Sequence, residues 1–156
     1  MKMTLLLVGR TADRLYAEGI EDYAKRINHY IPFNIKVIPE IKNSKSLSEK
    51  QQKEKEGELI LKSIEDKSFV TLLDEHGKEM RSTELAAWIE NKQLTARHMT
   101  FVIGGPYGFS EDVYRRADAK LSLSRMTFSH QMVRLIFAEQ IYRACTIIKN
   151  EPYHHE

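Results

Sequence analysis

Residues 101–110 read FVIGGPYGFS. An apolar run stops abruptly in Gly104, Gly105 and Pro106, and a helix start follows within a few residues. Met99 to Ile103 has the character of a buried strand. Ser110 is placed to cap a helix, with Glu111 and Asp112 in its first turn, where acids suit the helix dipole. Strand, glycine turn and helix are the start of a βα unit, and the rest of the chain repeats the pattern.

Working outward, Thr4 to Val8 is a strand. Tyr16, Ile20, Tyr23 and Ile27 recur at helical spacing, and Phe33, Ile35 and Val37 alternate like a strand. Ser46 and Glu49 have capping-box spacing and predict a helix start, with IKNSKS before it as a loop. The first turns of that helix, EKQQKEKEGE, read as a solvated face, and Leu59, Ile60 and Ile64 as its apolar end. Phe69 to Leu73 is a strand ending at Asp74, EHGKE the loop after it, and Ser82 the cap of a helix with Leu85, Trp88 and Ile89 inside. Leu121 to Leu123 is a short strand, and a long helix runs from about Gln131 to Ile148. Repeated βα units predict a mostly parallel sheet with helices on both faces, in a single domain over residues 1–156.

Of the 156 residues, 42% are hydrophobic and 29% charged, enough for one core under a soluble surface. The net charge of +2 does not by itself announce a polyanion partner. The lone Cys145 excludes an internal disulfide and reads as a small buried residue. Leu5 to Val8 is too short for a signal-peptide core, and no run approaches a membrane span, so a cytoplasmic protein is expected. The apolar residues of the last helix cover more than one face, which predicts burial against its own sheet and against a second subunit. Arg134 and Arg143 lie on opposite faces of that helix. Arg134 belongs near a ligand pocket or dimer seam, Arg143 toward RNA or a partner, and a solvated arginine is the plain reading of each.

Ligands of open α/β sheets sit at the carboxyl ends of strands. Three loops qualify: those after Leu73, Ile103 and Leu123. The glycine loop matches neither G-x-x-x-x-G-K-[ST] nor G-x-G-x-x-G, contains no lysine, and is followed by two acids. It is a poor phosphate cradle and better suits a neutral or cationic ligand. From the glycines alone, an ordinary tight turn stands level with a ligand loop. The six histidines show no metal spacing, no cysteine pair supports zinc, and no G-x-S-x-G occurs.

IGGPYGFS, LSLSRMTFSHQMVRLIFAEQIYRA and NEPYHHE, in this order, resemble the RlmH family of small SPOUT-class methyltransferases. LLLVGR at the start and LLDEHGK extend the resemblance to the whole length. The resemblance implies an α/β fold with a C-terminal trefoil knot, a homodimer, and S-adenosylmethionine as cofactor. It implies methylation at N3 of a pseudouridine in 23S rRNA of the large subunit, on assembled ribosomes. The implied cofactor positions are Leu73, Gly104, Leu123, Ser124, Arg125, Met126, Thr127 and Phe128. No metal is implied. His130, Tyr153 and His154 are candidates for the proton and for the target base. Plain alternatives are a capping or core histidine at 130 and a frayed terminus at 153–154. His155 stands where the family commonly has arginine. Two further readings remain: a non-catalytic ribosome-binding module with the same fold, and a flavodoxin-like nucleotide binder.

Overall fold

The computed structural model describes residues 1–42 and 44–156. The elements are β1 (Lys2–Val8), α1 (Arg14–Ile27), β2 (Phe33–Ile38), α2 (Glu49–Ser63), β3 (Phe69–Glu79), α3 (Ser82–Thr95), β4 (His98–Ile103), α4 (Glu111–Arg116), β5 (Ala119–Ser122) and α5 (Met132–Ile148). The five strands form one sheet in the order β2-β1-β4-β3-β5, and every pairing is parallel. The predicted α/β class with a parallel sheet is what the chain adopts.

Alternation along the strands divides the interior in two. Met3, Leu5 and Leu7 of β1 join Met99, Phe101 and Ile103 of β4 on one face, beneath Ile27 of α1, Leu85 and Ile89 of α3, and Phe137 and Ile141 of α5. Leu6, Val8, Val70, Leu72 and Val102 point to the other face, toward Ile60 of α2 and Val113 of α4. A sheet covered on both sides needs near-continuous apolar strands, which is why LLLV and FVI show little alternation.

Several boundaries differ from expectation. The cap of α2 is Ser48, not Ser46: Ser48 Oγ accepts from Gln51 N–H at 3.1 Å, and Gln51 Oε1 accepts from Ser48 N–H at 3.0 Å. The capping-box pattern occurs in two overlapping frames, and Ser46 instead closes a short 3-10 turn, Ser44–Ser46. Ser82 is inside α3; Arg81 occupies the cap position, its N–H donating to the Glu84 carboxylate at 2.7 Å. Ser82 Oγ instead donates to Gln140 of α5. The predicted loop EHGKE is extended backbone in β3. Leu73 and Lys78 both register against Leu121 of β5, so the strand breaks register across residues 74–77 and then resumes pairing.

One face of α5, carrying Phe137, Ala138, Ile141, Ala144 and Cys145, is buried by its own chain. The helix packs on the sheet between α1 and α3, with Leu135 against Gly19 of α1. Three intramolecular neighbours thus cover part of its broad apolar surface, while Met132 stays exposed and Val133, Leu135, Ile136, Ile147 and Ile148 half-exposed. Cys145 is buried there, as expected, and burial pushes its thiol up to about 12. Among the described residues, no helix is long and apolar enough to cross a membrane.

Candidate functional site

A cleft of about 730 Å³ opens at the carboxyl ends of β3, β4 and β5. Small-molecule sites occupy this size range. Leu73 and Gly104 line two of its sides. Leu123, Ser124, Arg125, Met126, Thr127 and Phe128 line a third, and His130 closes it where α5 begins. The three strand-end loops thus converge on one space.

The 123–131 loop is shaped by its serines. Ser122 Oγ donates to Ser124 O at 3.1 Å, and Ser124 Oγ accepts from Met126 N–H at 3.0 Å. Ser129 Oγ accepts from Met132 N–H at the entry to α5. These short turns hold the backbone against the cleft and leave Met126 78% exposed, an apolar thioether side chain over a partly apolar floor.

The glycine loop is built from behind. Gly105 N–H donates to Glu56 Oε1 of α2 at 2.9 Å, and Gly108 N–H donates to Gly105 O at 3.3 Å. Pro106 has no N–H. Of residues 105–108, only Tyr107 keeps an amide outside these bonds, so the loop has little to offer an anion. Gly104 is required by packing: a Cβ there would stand 2.7 Å from Cε1 of the buried Phe109 ring. Gly108, at φ +80°, needs the freedom of glycine. Glu111 and Asp112 do begin α4, but Arg115 pairs with both, at 3.3 and 2.6 Å. The aversion to anions therefore rests more on Glu56 than on those acids.

EKQQKEKEGE is largely the solvated face expected of it, with Glu56 the exception among its charged residues at 5% exposed. Burial raises the proton affinity of Glu56, the Gly105 bond opposes that, and Glu40 adds to it. Glu49 and Lys53 of the same helix also reach the cleft wall. The cleft wall thus carries one acid and one base from α2. Helical spacing of positions 49, 53 and 56 was the available signal, hidden by charge on every face.

On the opposite rim, Tyr114 OH donates to the Asp74 carboxylate. Burial works against ionisation of Asp74, but the Tyr114 hydroxyl and the His76 amide outweigh it and hold the carboxyl below its usual range. Burial and the Asp74 bond push the Tyr114 phenol up to about 12. His130 is half-buried; burial, then Arg134, lower its proton affinity against an opposing pull from Glu40. Both effects favour the neutral imidazole over the imidazolium.

Arg134 is neither solvated nor in the cleft. It is 0% exposed and donates to Val8 O at 2.7 Å, Gly9 O at 2.9 Å and Thr11 Oγ1 at 3.0 Å. It ties the start of α5 to the loop after β1. Arg143 is held by Glu139 at 2.5 Å and lies 4.8 Å from the centroid of the Tyr153 ring. Tyr153 OH donates to Glu139, and His154 Nδ1 is 3.1 Å from Arg143. The terminus is packed rather than frayed. Within one chain it is also remote from the cleft: Arg143 lies about 15 Å along α5 from the cleft-lining Val133. Of the three candidate catalytic groups, the chain brings only His130 to the cleft. No group of three or more His, Cys, Asp or Glu is placed to hold a metal among the described residues.

A parallel α/β sheet whose three strand-end loops close on one cleft defines the class. The family described as "Predicted SPOUT methyltransferase" matches residues 1–154, and the chain belongs to it. The chain is 60% identical to the ribosomal RNA large subunit methyltransferase H of Phocaeicola vulgatus over 157 aligned positions, covering 100% of both. It is 60% identical to the protein of that name from Bacteroides thetaiotaomicron, again over 100% of both, and 51% identical to that from Flavobacterium johnsoniae over 100% of both. Among solved structures, a probable methylase family protein from Haemophilus influenzae superposes with a TM-score of 0.55 at 12% identity, over 95% of this chain and 66% of that one. That likeness speaks to the fold.

Proposed function

We propose that this protein is an S-adenosylmethionine-dependent rRNA methyltransferase of the large ribosomal subunit, acting in the cytoplasm at N3 of a 23S rRNA pseudouridine on assembled ribosomes. Full-length similarity to proteins named for large-subunit rRNA methylation supports the reaction. The observation that carries the cofactor reading is the glycine loop, whose Gly105 amide is held by the protein's own carboxylate. A phosphate ligand would want that amide; a sulfonium cation would not. When bound, S-adenosylmethionine supplies an activated methyl group.

The residues present fit that group. Leu73, Leu123 and Met126 offer apolar surface for an adenine, and the backbone of residues 123–128 offers polar groups at its edge. Gly104 and Gly105 bring main chain to the cleft without side chains between. His130, favoured in its neutral form and beside the cleft, is the group in this chain that takes the N3 proton, a step worth about 10²–10⁴-fold. Aligning nucleophile and methyl group is the larger task. Tyr153 and His154 reach a target base across a homodimer, where their rings stack on it. The whole chain acts as one domain, with the family's trefoil knot in the segment from β5 through the 123–131 loop into α5.

Mass mapping of rRNA from cells with and without the protein tests this directly. One pseudouridine losing its methyl is expected, and an unchanged map overturns the reading. Calorimetry with S-adenosylmethionine and with FMN separates the rest: tight FMN binding favours a nucleotide binder, and no binding of either favours a non-catalytic ribosome-binding module. Methylation unchanged by deletion of residues 152–156 refutes the role of the tail.

A further inference from the structure

The charged helix α2 meets the glycine loop at both ends through consecutive residues. Glu56 accepts the Gly105 N–H at 2.9 Å. A Cβ on Gly57 would stand 2.4 Å from Ser110 Oγ, so its absence lets α2 come up against the residue that caps α4. The Gly105 contact is equally close: a Cβ there would lie 2.5 Å from Glu56 Oε1. A side chain at 105 would therefore push the carboxylate end of Glu56 out of its present position. Burying that carboxylate carries a cost, raised further by Glu40, and the Gly105 bond is what acts against it. An apolar residue would fill the same interior without the cost.

We propose that Glu56 is a positioning residue of the cleft. By holding the Gly105 amide from behind, it fixes the turn at residues 104–108 and withdraws that donor from the ligand. The inference rests on the reading that the cleft holds S-adenosylmethionine. Glu56 acts on that ligand through the loop and does not line the cleft itself.

The test is calorimetry of S-adenosylmethionine binding to the full-length protein, with thermal melting of each variant alongside. Glu56→Ala removes the acceptor and is expected to weaken binding roughly ten- to hundred-fold, the range for loss of one hydrogen bond to a charged group. Glu56→Gln keeps an acceptor oxygen and is expected to recover most of that loss. Gly105→Ala displaces the carboxylate by collision and is expected to weaken binding as Glu56→Ala does. Adding Glu56→Ala to Gly105→Ala is expected to cost nothing more, because the colliding group is gone. In turnover assays the loss falls on KM for S-adenosylmethionine and leaves kcat within a few-fold.

If Glu56→Ala melts lower but its folded protein binds like wild type, Glu56 is only structural and the proposal is overturned. Glu56→Gln binding as poorly as Glu56→Ala overturns the hydrogen bond as the cause. Should Glu56→Ala not fold, Gly105→Ala decides, and undiminished binding there overturns the proposal. Wild-type protein that binds no S-adenosylmethionine refutes the cofactor reading itself, a result distinct from all of these.

Discussion

Replacing Arg134 with methionine is expected to destabilise the protein by about 3 kcal/mol, a figure that follows from its surroundings. The guanidinium is fully buried and serves two main-chain carbonyls, Val8 O and Gly9 O, and the Thr11 hydroxyl. Each bond from a charged donor contributes about 1.5–3 kcal/mol, so three such bonds set an upper bound near 9 kcal/mol. Against this stands desolvation of the cation, several kcal/mol, which the apolar variant no longer bears. The lowered proton affinity of Arg134 shows that burial outweighs the attraction of Glu40, and its Nε finds no partner among the described residues. Methionine reaches only about as far as Nε, so it keeps the apolar stem, empties the space of the guanidinium head and leaves the two carbonyls without their donor. The net loss corresponds to a fall in Tm of about 6–12 °C for a chain of this size. Urea denaturation of Arg134→Met and wild type at constant ionic strength measures it. A difference below about 0.5 kcal/mol refutes the reasoning, since water would then be serving Val8 and Gly9. Arg134→Lys, with one compact donor group in place of the fork, is expected to fall between the two.

Gly104→Val is expected to lower stability by about 1–3 kcal/mol through collision with Phe109 and to weaken S-adenosylmethionine binding; normal binding by calorimetry returns the loop to an ordinary turn. Cys145 is expected to resist alkylation in the native protein at pH 8 and to react after denaturation, and mass spectrometry of iodoacetamide-treated protein decides. His130 has a folded-state pKa below its ordinary 6.5, so its contribution to stability is present above pH 6.5 and lost as pH falls through the folded value. An NMR titration placing the His130 midpoint above 6.5 contradicts this. Tyr153→Phe breaks the bond to Glu139 but keeps the ring packing and the Glu151, His154 and Glu156 contacts, so proteolysis near residue 150 is expected to rise only a few-fold. Tyr153→Ala, which also removes the ring, is expected to raise it further.

The alternation of strands and helices was legible because burying both faces of a parallel sheet leaves apolar runs such as LLLV and FVI. The three candidate loops followed from that order, since each is the exit of a strand. What escaped was whatever depended on partners distant in sequence. Glu56 looked like one charge among many in α2 because its partner, Gly105, is 49 residues away. Neither reading of Arg134, at a pocket or dimer seam or solvated, names its acceptors, because they lie in the loop after β1. Capping of α2 was placed two residues early because two serines offered the same spacing. EHGKE looked like a loop because its residues are polar, whereas β5 holds Lys78 and Glu79 as strand. The packed tail was hidden for a similar reason: Tyr30 OH donates to Glu151 and Arg81 pairs with Glu156, contacts that local composition does not encode.

The register break in β3 has a further consequence for how such a site can change. Leu73 and Lys78 meet the same residue of β5, so the chain between them leaves the ladder and returns to the point it left. Asp74, Glu75 and His76 within that excursion border the cleft, while Gly77 runs so close to Leu121 that a Cβ would stand 2.6 Å from its backbone nitrogen. Pinned on both flanks, the excursion is a cassette. Asp74 within it is buried and bonded to Tyr114 and to the His76 amide, whereas the side chains of Glu75 and His76 stand 79% and 77% exposed. Recognition at this rim can thereby change with little change to the sheet, and a library confined to Glu75 and His76, with Asp74 kept, is the economical place to retune what the cleft accepts.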